Sequence, residues 1–160
     1  MLEDLERDID KDWNLSVYDN FFILVDGLIE LNKRMRIKNV NLYNIIGLKY
    51  YLKEYCTVKI DVGRQSGKSE YIAKNSTNND LIITFNINMK KIFTDIKHVN
   101  IPDKNIISIQ SLYNKKEEYG GRTYNNIWMD EASFISKNNN IDFLYDVLGK
   151  NENQTFIFLG

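Results

Sequence analysis

Two short stretches of the chain carry residues whose types and spacing can do chemistry. The first, Gly63-Arg64-Gln65-Ser66-Gly67-Lys68-Ser69, follows the alternating run Thr57-Val58-Lys59-Ile60-Asp61-Val62 and leads into the helical-looking Glu70-Tyr71-Ile72-Ala73-Lys74. A strand, a glycine-bearing loop and a helix in that order turn backbone N–H groups and the positive end of the helix toward one place, where an anion can sit. The second stretch, Asn126-Ile127-Trp128-Met129-Asp130-Glu131, reads as a strand ending in two adjacent acids. Its acids lie at the carboxyl end of that strand, which is where open α/β sheets bind ligands. Phosphate held by the first stretch and carboxylates supplied by the second are the parts needed for metal-assisted hydrolysis of a phosphoanhydride.

Spacing assigns a task to each residue. The usual phosphate-loop pattern has four residues between its first glycine and Gly-Lys-Ser. Here Arg64, Gln65 and Ser66 intervene, so the match is to a variant one residue shorter. Gly63 and Gly67 let the backbone turn and come close to phosphate. Lys68 should reach the β- and γ-phosphate oxygens, and Ser69 should place its hydroxyl on Mg²⁺. Asp130 can hold Mg²⁺ directly or through water, and Glu131 can orient and polarise the attacking water. Arg64 has two readings, a cation stabilising charge on the γ-phosphate in cis or a salt bridge bracing the loop.

These residues must be held by alternating strands and helices. Residues 1–12 are polar and predict a short exposed helix. From Val17 a stripe of Val17, Phe21, Leu24, Leu28, Leu31 and Met35 predicts a second helix, with Ser16 as its N-cap. Lys33, Arg34, Arg36 and Lys38 form a basic cluster that reads as a solvated helix end or a nucleic-acid contact. A helix over 42–54, with Leu42, Ile45, Ile46 and Leu52 inward, delivers the chain to the strand at 57–62. Leu81–Phe85 is a continuous apolar run and predicts a buried parallel strand. A helix over 88–97, a strand over 105–109, a polar loop or hairpin over 113–125, a loop at 137–140, a helix from Ile141 and a strand over 155–159 complete the reading. His98, the only histidine, falls just past a helix, and Gly149 is placed as a C-cap. Strands alternating with helices imply a parallel sheet with right-handed crossovers.

Composition sets bounds on this picture. The 160 residues suffice for one domain with a real core. A hydrophobic share of 43% and a charged share of 27% are ordinary for a globular chain. A net charge of −1 excludes a protein that coats nucleic acid by charge alone, while leaving local contacts open. The single cysteine, Cys56, excludes an internal disulfide and reads as a small buried hydrophobe. No signal peptide or membrane-length apolar run is visible, so the expectation is a soluble, intracellular chain.

Val62 to Ser69, taken with Gly121-Arg122-Thr123-Tyr124-Asn125-Asn126-Ile127-Trp128-Met129-Asp130-Glu131-Ala132, resembles the large terminase subunit of tailed bacteriophages. That family carries a Walker A variant with Arg-Gln beside Gly-Lys-Ser/Thr and a Walker B strand ending Asp-Glu-Ala. The resemblance covers about residues 40–160. It implies a P-loop NTPase fold of the ASCE-like type, an α/β three-layer sandwich with a mostly parallel central sheet and an N-terminal helical extension. Residues 1–55 would form the extension and 56–160 the ATPase core. It implies ATP and Mg²⁺ as cofactors, Lys68 and Ser69 on phosphate and metal, Arg64 as the loop arginine, Asp130 on metal and Glu131 as the catalytic carboxylate. An adenine-binding pair upstream of the loop would fall on Tyr43-Asn44, with Asn in place of the usual Gln. After the fifth strand the family has a coupling motif, which Leu159-Gly160 would begin, and the family's nuclease domain is not expected in these residues. The implied activity is ATP hydrolysis that drives double-stranded DNA into a procapsid in the cytoplasm of an infected cell. The implied partners are the portal, the small terminase subunit and further copies in a ring, with no membrane. A helicase-like motor on another nucleic acid, or a nucleotide-responsive regulatory module with little turnover, are the alternative readings.

Overall fold

Strands hidden on both faces need unbroken apolar runs, whereas an edge strand shows one face to water and alternates. Both patterns occur in the computed structural model, which describes residues 2–63, 67–95, 101–138 and 140–160, with side chains from Asp19 onward except that of Asn138. In chain order the elements are α1 (Leu2–Asn39), α2 (Tyr43–Ile46), α3 (Leu48–Tyr55), β1 (Thr57–Ile60), α4 (Lys68–Asn75), β2 (Leu81–Thr84) and α5 (Ile87–Asp95). There follow β3 (Ile106–Ser108), α6 (Ile109–Asn114), α7 (Lys116–Gly120), β4 (Asn126–Asp130), α8 (Ala132–Asn138), α9 (Phe143–Leu148) and β5 (Thr155–Leu159). Short 3₁₀ turns occupy Val40–Leu42 and Asp103–Asn105.

The five strands form one all-parallel sheet in the order β1-β5-β4-β2-β3. The register sets one row of side chains, Val58, Ile157, Trp128, Ile82 and Ile106, across the whole sheet. That row packs beneath α1, α4 and α5 through Phe21, Val25, Tyr71, Ile72, Ala73 and Phe93. Because side chains alternate along a strand, the neighbouring rows face the other way. Phe156, Ile127 and Leu81, with Phe158, Met129, Ile83 and Ile107, pack against α3 and α6–α9. The result is three layers, helices on both faces of a buried parallel sheet.

Several expectations are corrected. One helix, α1, runs from Leu2 to Asn39 where two were expected. No glycine or proline stands between residues 10 and 20 to stop it, so Ser16 lies inside the helix and is not a cap. Among the described side chains of α1 the buried apolar residues are Phe21 and Val25, with Phe22, Leu28 and Ile29 packed beside them; Leu24, Leu31 and Met35 are exposed. The expected helix 42–54 is divided at Gly47, whose φ of 81° no side-chain-bearing residue adopts readily, and Ile45 is 76% exposed. Residues 113–125 are not a hairpin: α6 and α7 fill most of that stretch, held by buried Leu112 and Tyr119. The loop expected at 137–140 begins later, because α8 reaches Asn138. Gly149 does stand at the C-cap of α9. A Cβ there would lie 2.4 Å from Tyr145 O and 2.6 Å from Leu52 Cδ1, so close packing requires the glycine. His98 lies outside the described residues. Among the described residues no helix is long and apolar enough to cross a membrane.

Candidate active site

α4 begins where the sequence turns from loop to helix, at Lys68. Gly67 caps it in the left-handed region (φ 80°), and Gly63 takes a similar φ of 75°. Both values are inexpensive only for glycine. Tyr71 N donates to Gly67 O at 2.8 Å, so the first turn of α4 is closed from its outset. The loop's other end is fixed to the sheet. Gly160 N donates to Ile60 O at 2.7 Å and Val62 N to Gly160 O at 3.1 Å, extending the β1–β5 ladder to the loop's base.

The acids arrive on β4. Since β5 stands between β1 and β4, the loop strand and the acid strand lie two strand spacings apart, about 10 Å. The helix that follows the loop reaches back across that gap. Ser69 Oγ donates to Asp130 Oδ2 at 2.7 Å, and Lys68 Nζ stands 3.7 Å from Glu131 Oε1 while donating to Gly63 O. Lys68 is 5% exposed and Asp130 only 1%. Among the described residues, the one carboxylate within ion-pair distance of this buried ammonium is loose, at 3.7 Å, which is compatible with a further anion.

Asp130 has two donors, Ser69 Oγ and, on Oδ1, Glu131 N at 3.1 Å. Burial nonetheless pushes its carboxyl above the usual range, helped by the neighbouring charge of Glu131; the Ser69 hydrogen bond and Lys68 pull the other way. Glu131 breaks a backbone rule. Its φ is 56°, in the left-handed region that costs a non-glycine residue about 1–2 kcal/mol. The turn has a visible consequence. It ends β4 abruptly, lets Glu131 O accept from Phe134 N at 3.0 Å and Ile135 N at 3.1 Å to start α8, and leaves the carboxylate beside Lys68.

Gly63, Lys68, Ser69, Asp130 and Glu131 are thus brought into one linked set of contacts at the start of α4, which Gly67 caps. Arg64, Gln65 and Ser66 lie outside the described residues. Tyr43 is placed elsewhere: its ring packs edge-on against Tyr51, whose hydroxyl donates to Arg36 O at 3.3 Å. Arg36 in turn holds the carbonyls that precede β5, at the end of the sheet opposite the loop. Asn44 is exposed on the same short helix. The described contacts thus tie Tyr43 to Tyr51 of α3 and, through the Tyr51 hydroxyl, to Arg36.

Sequence reasoning missed α8 and what it brings. Phe134 on α8 and Phe85 just after β2 meet edge-on at 4.8 Å, and with Met89 and Glu131 they line a cleft of about 330 Å³. The available signal was an aromatic three residues after the acid pair. No family model matches the sequence, and neither the curated proteins nor the solved structures contain a match to it.

Proposed function

We propose that this chain is a Mg²⁺-dependent ATPase with a P-loop NTPase (ASCE-like) core, the ATPase part of a large terminase that packages double-stranded viral DNA. One observation carries the catalytic half of that reading. Across the one intervening strand β5, the hydroxyl and the amine that open α4 meet both acids that end β4, at 2.7 Å and 3.7 Å.

The residues fit the cofactors. Mg²⁺ takes one or two protein oxygens, with waters and substrate phosphates completing an octahedron at 2.0–2.1 Å, so adjacent ligand oxygens lie about 2.9 Å apart. Ser69 Oγ and Asp130 Oδ2, 2.7 Å apart, are already near that separation, and these two residues would hold the ion. A metal held there would supply charge neutralisation to the phosphate oxygens. The chain's own residues do the rest. Lys68 exchanges its loose contact with Glu131 for the incoming phosphate oxygens. Glu131, freed of that partner, accepts a hydrogen bond from the attacking water and lines it up with the terminal phosphorus.

The DNA-packaging half of the reading is supported by the motif resemblance alone, and so are its portal, procapsid, small-subunit and ring partners and its place in the host cytoplasm. Calorimetry with MgATP and phosphate release with and without DNA test the whole. The expectation is ATP binding that Lys68→Ala abolishes, and turnover that double-stranded DNA stimulates more than single-stranded DNA. Unaltered ATP affinity in Lys68→Ala would remove the site assignment. Preference for single strands would replace packaging by a helicase-like motor, and binding without turnover under any condition would make the chain a nucleotide-responsive module.

A further inference from the structure

At the end of the sheet opposite the phosphate loop, the last turns of α1 stand beside the amino ends of β4 and β5. A cleft of about 490 Å³ lies between them. Arg36 forms part of its wall. The guanidinium is buried, yet its partners among the described residues are all neutral. Nη1 donates to the carbonyls of Glu152, Asn153 and Gln154, Nη2 donates to Thr155 Oγ1, and Nε has no acceptor. Lys33, one turn earlier on α1, lines the same cleft and is exposed. Among the described residues no carboxylate stands within ion-pair distance of either cation. A buried positive charge met only by dipoles is stabilised by an anion brought close to it.

We propose that this cleft takes a phosphate of a nucleic-acid backbone, held by Lys33 and the side-chain amides of Asn125 and Asn153, with the charge of Arg36 behind it. The inference rests on the DNA half of the reading above and gives that half a place on the chain, at the other end of the sheet from the ATPase residues.

The lining fits such a ligand. Backbone phosphates are gripped by Lys and Arg together with amide side chains, contacts that hold the strand without reading its sequence. Asn125 and Asn153 are exposed on the two loops that enter β4 and β5, across the cleft from α1. The cleft is roomier than a lone phosphate needs, and its wall includes Ile37 and Val40, 77% and 51% exposed. Free phosphate would leave those apolar side chains bare, whereas the sugars on either side of a backbone phosphate can cover them. The roles within the site are divided. Arg36 is committed to the carbonyls before β5 and acts through its charge, so direct contact falls to Lys33 and the amides. Glu152 is the one acid on the lining, and its charge opposes the ligand.

That opposition gives the test two signs. Binding of a short DNA duplex is measured by fluorescence anisotropy across a salt series, in a Lys68→Ala background so that the phosphate loop contributes nothing. Each phosphate contact adds about 0.9 to the slope of log affinity against log salt, so Lys33→Gln should lower that slope by about one and weaken binding about tenfold near 100 mM salt. Glu152→Gln should strengthen binding at least about twofold. Lys38→Gln removes an equally exposed cation from the same helix end but outside the cleft, and should cost less than Lys33→Gln. Thermal melts confirm that each variant is folded. Equal losses in the Lys33 and Lys38 variants, or affinity indifferent to both Lys33 and Glu152, would overturn the cleft while leaving DNA binding in place. Inorganic phosphate that binds in a Lys33-dependent way while the duplex does not would overturn the nucleic-acid assignment. A wild-type chain that binds no duplex would overturn the DNA half of the proposed function, and this site with it.

Discussion

The two ends of the sheet bury charged side chains in opposite ways. At the amino end, Asp80 is fully buried and saturated. It accepts from Thr77 N at 2.9 Å, Asn126 N at 3.0 Å, Asn126 Nδ2 at 3.1 Å and Trp128 Nε1 at 3.1 Å. Arg36 at the same end is 9% exposed and clamps the carbonyls of Glu152, Asn153 and Gln154 and the hydroxyl of Thr155, which register the start of β5. At the carboxyl end, Asp130 is as deeply buried but has two donors, Lys68 has one carboxylate at 3.7 Å, and Glu131 is held in a left-handed backbone conformation. A carboxylate with every lone pair occupied fixes the fold. Under the proposed function, a carboxylate with fewer donors among the described residues, beside the Lys68 ammonium, would receive the metal and phosphate.

The largest expected effect breaks function without breaking the fold. Glu131→Gln keeps the shape of the side chain and removes its charge. Turnover should fall about 1,000-fold, roughly 4 kcal/mol in the barrier, while ATP still binds. The melting temperature should change little, because the variant takes a carboxylate from buried Lys68 but also a negative charge from beside buried Asp130. Phosphate release and a thermal melt on the same sample check both halves. Normal turnover would take Glu131 out of its role.

Next comes the amino end, where the sign of the comparison reverses. Asp80→Ala leaves the buried Trp128 Nε1 and three part-buried donors of Thr77 and Asn126 without their acceptor and should cost about 3 kcal/mol. The folded fraction should still bind ATP as the parent does. A chemical-denaturation curve reads the loss. A cost below about 1 kcal/mol would mean that saturation at Asp80 does not distinguish the two ends.

How much of this was legible in the sequence follows from which interactions are local. The glycine loop and the acid pair are contiguous stretches, so both stand out in the sequence, and the fold brings Lys68 and Ser69 beside Asp130 and Glu131. Strands β2 and β5 were legible because burial on both faces leaves no polar residue to interrupt them, and β1 because Lys59 faces solvent at the edge of the sheet. The order of strands was not, since nothing in β5 records that it inserts between β1 and β4. Short helices such as α6 and α7 carry too few residues to show a period; tertiary contacts hold them, including Tyr119 donating to Lys104 O at 2.9 Å. The basic cluster at 33–38 is split by the fold. Arg34 is exposed and pairs with Glu30 at 3.0 Å, whereas Arg36 turns inward to the carbonyls before β5, a role no charge pattern encodes.

A smaller effect tests how α4 is anchored to α1. Tyr71 on α4 is buried and donates to Asp26 Oδ1 of α1 at 2.5 Å, with burial and the adjacent carboxylate raising its hydroxyl well above the usual value. Asp26 itself is exposed. Removing the two partners should therefore not be equivalent. Tyr71→Phe returns an exposed carboxylate to water and should cost about 1 kcal/mol or less, whereas Asp26→Ala strands a buried hydroxyl and should cost about 1–2 kcal/mol. Equal costs in denaturation would show that water reaches the Tyr71 hydroxyl.

The smallest effect carries the most specific sign. In the folded chain burial holds the Asp130 carboxyl above its ordinary 3.8, so the folded state takes up this proton before the unfolded state does. Stability falls with rising pH wherever the folded state binds more protons. Asp130 therefore opposes folding at neutral pH and ceases to do so as pH drops through its raised value. Asp130→Asn has no such proton. The stability of the parent chain relative to this variant should increase as pH falls from 7 toward 4, by less than about 1.4 kcal/mol, a factor of ten in population. Over the same window the parent should lose Mg²⁺-dependent turnover, because a protonated Asp130 no longer offers the metal a charged oxygen. Thermal melts of both chains across that range read the first effect and phosphate release reads the second. A stability difference that stays flat with pH would mean that the fold already meets the charge of Asp130, and the contrast between the two ends of the sheet would rest on Lys68 and Glu131 alone.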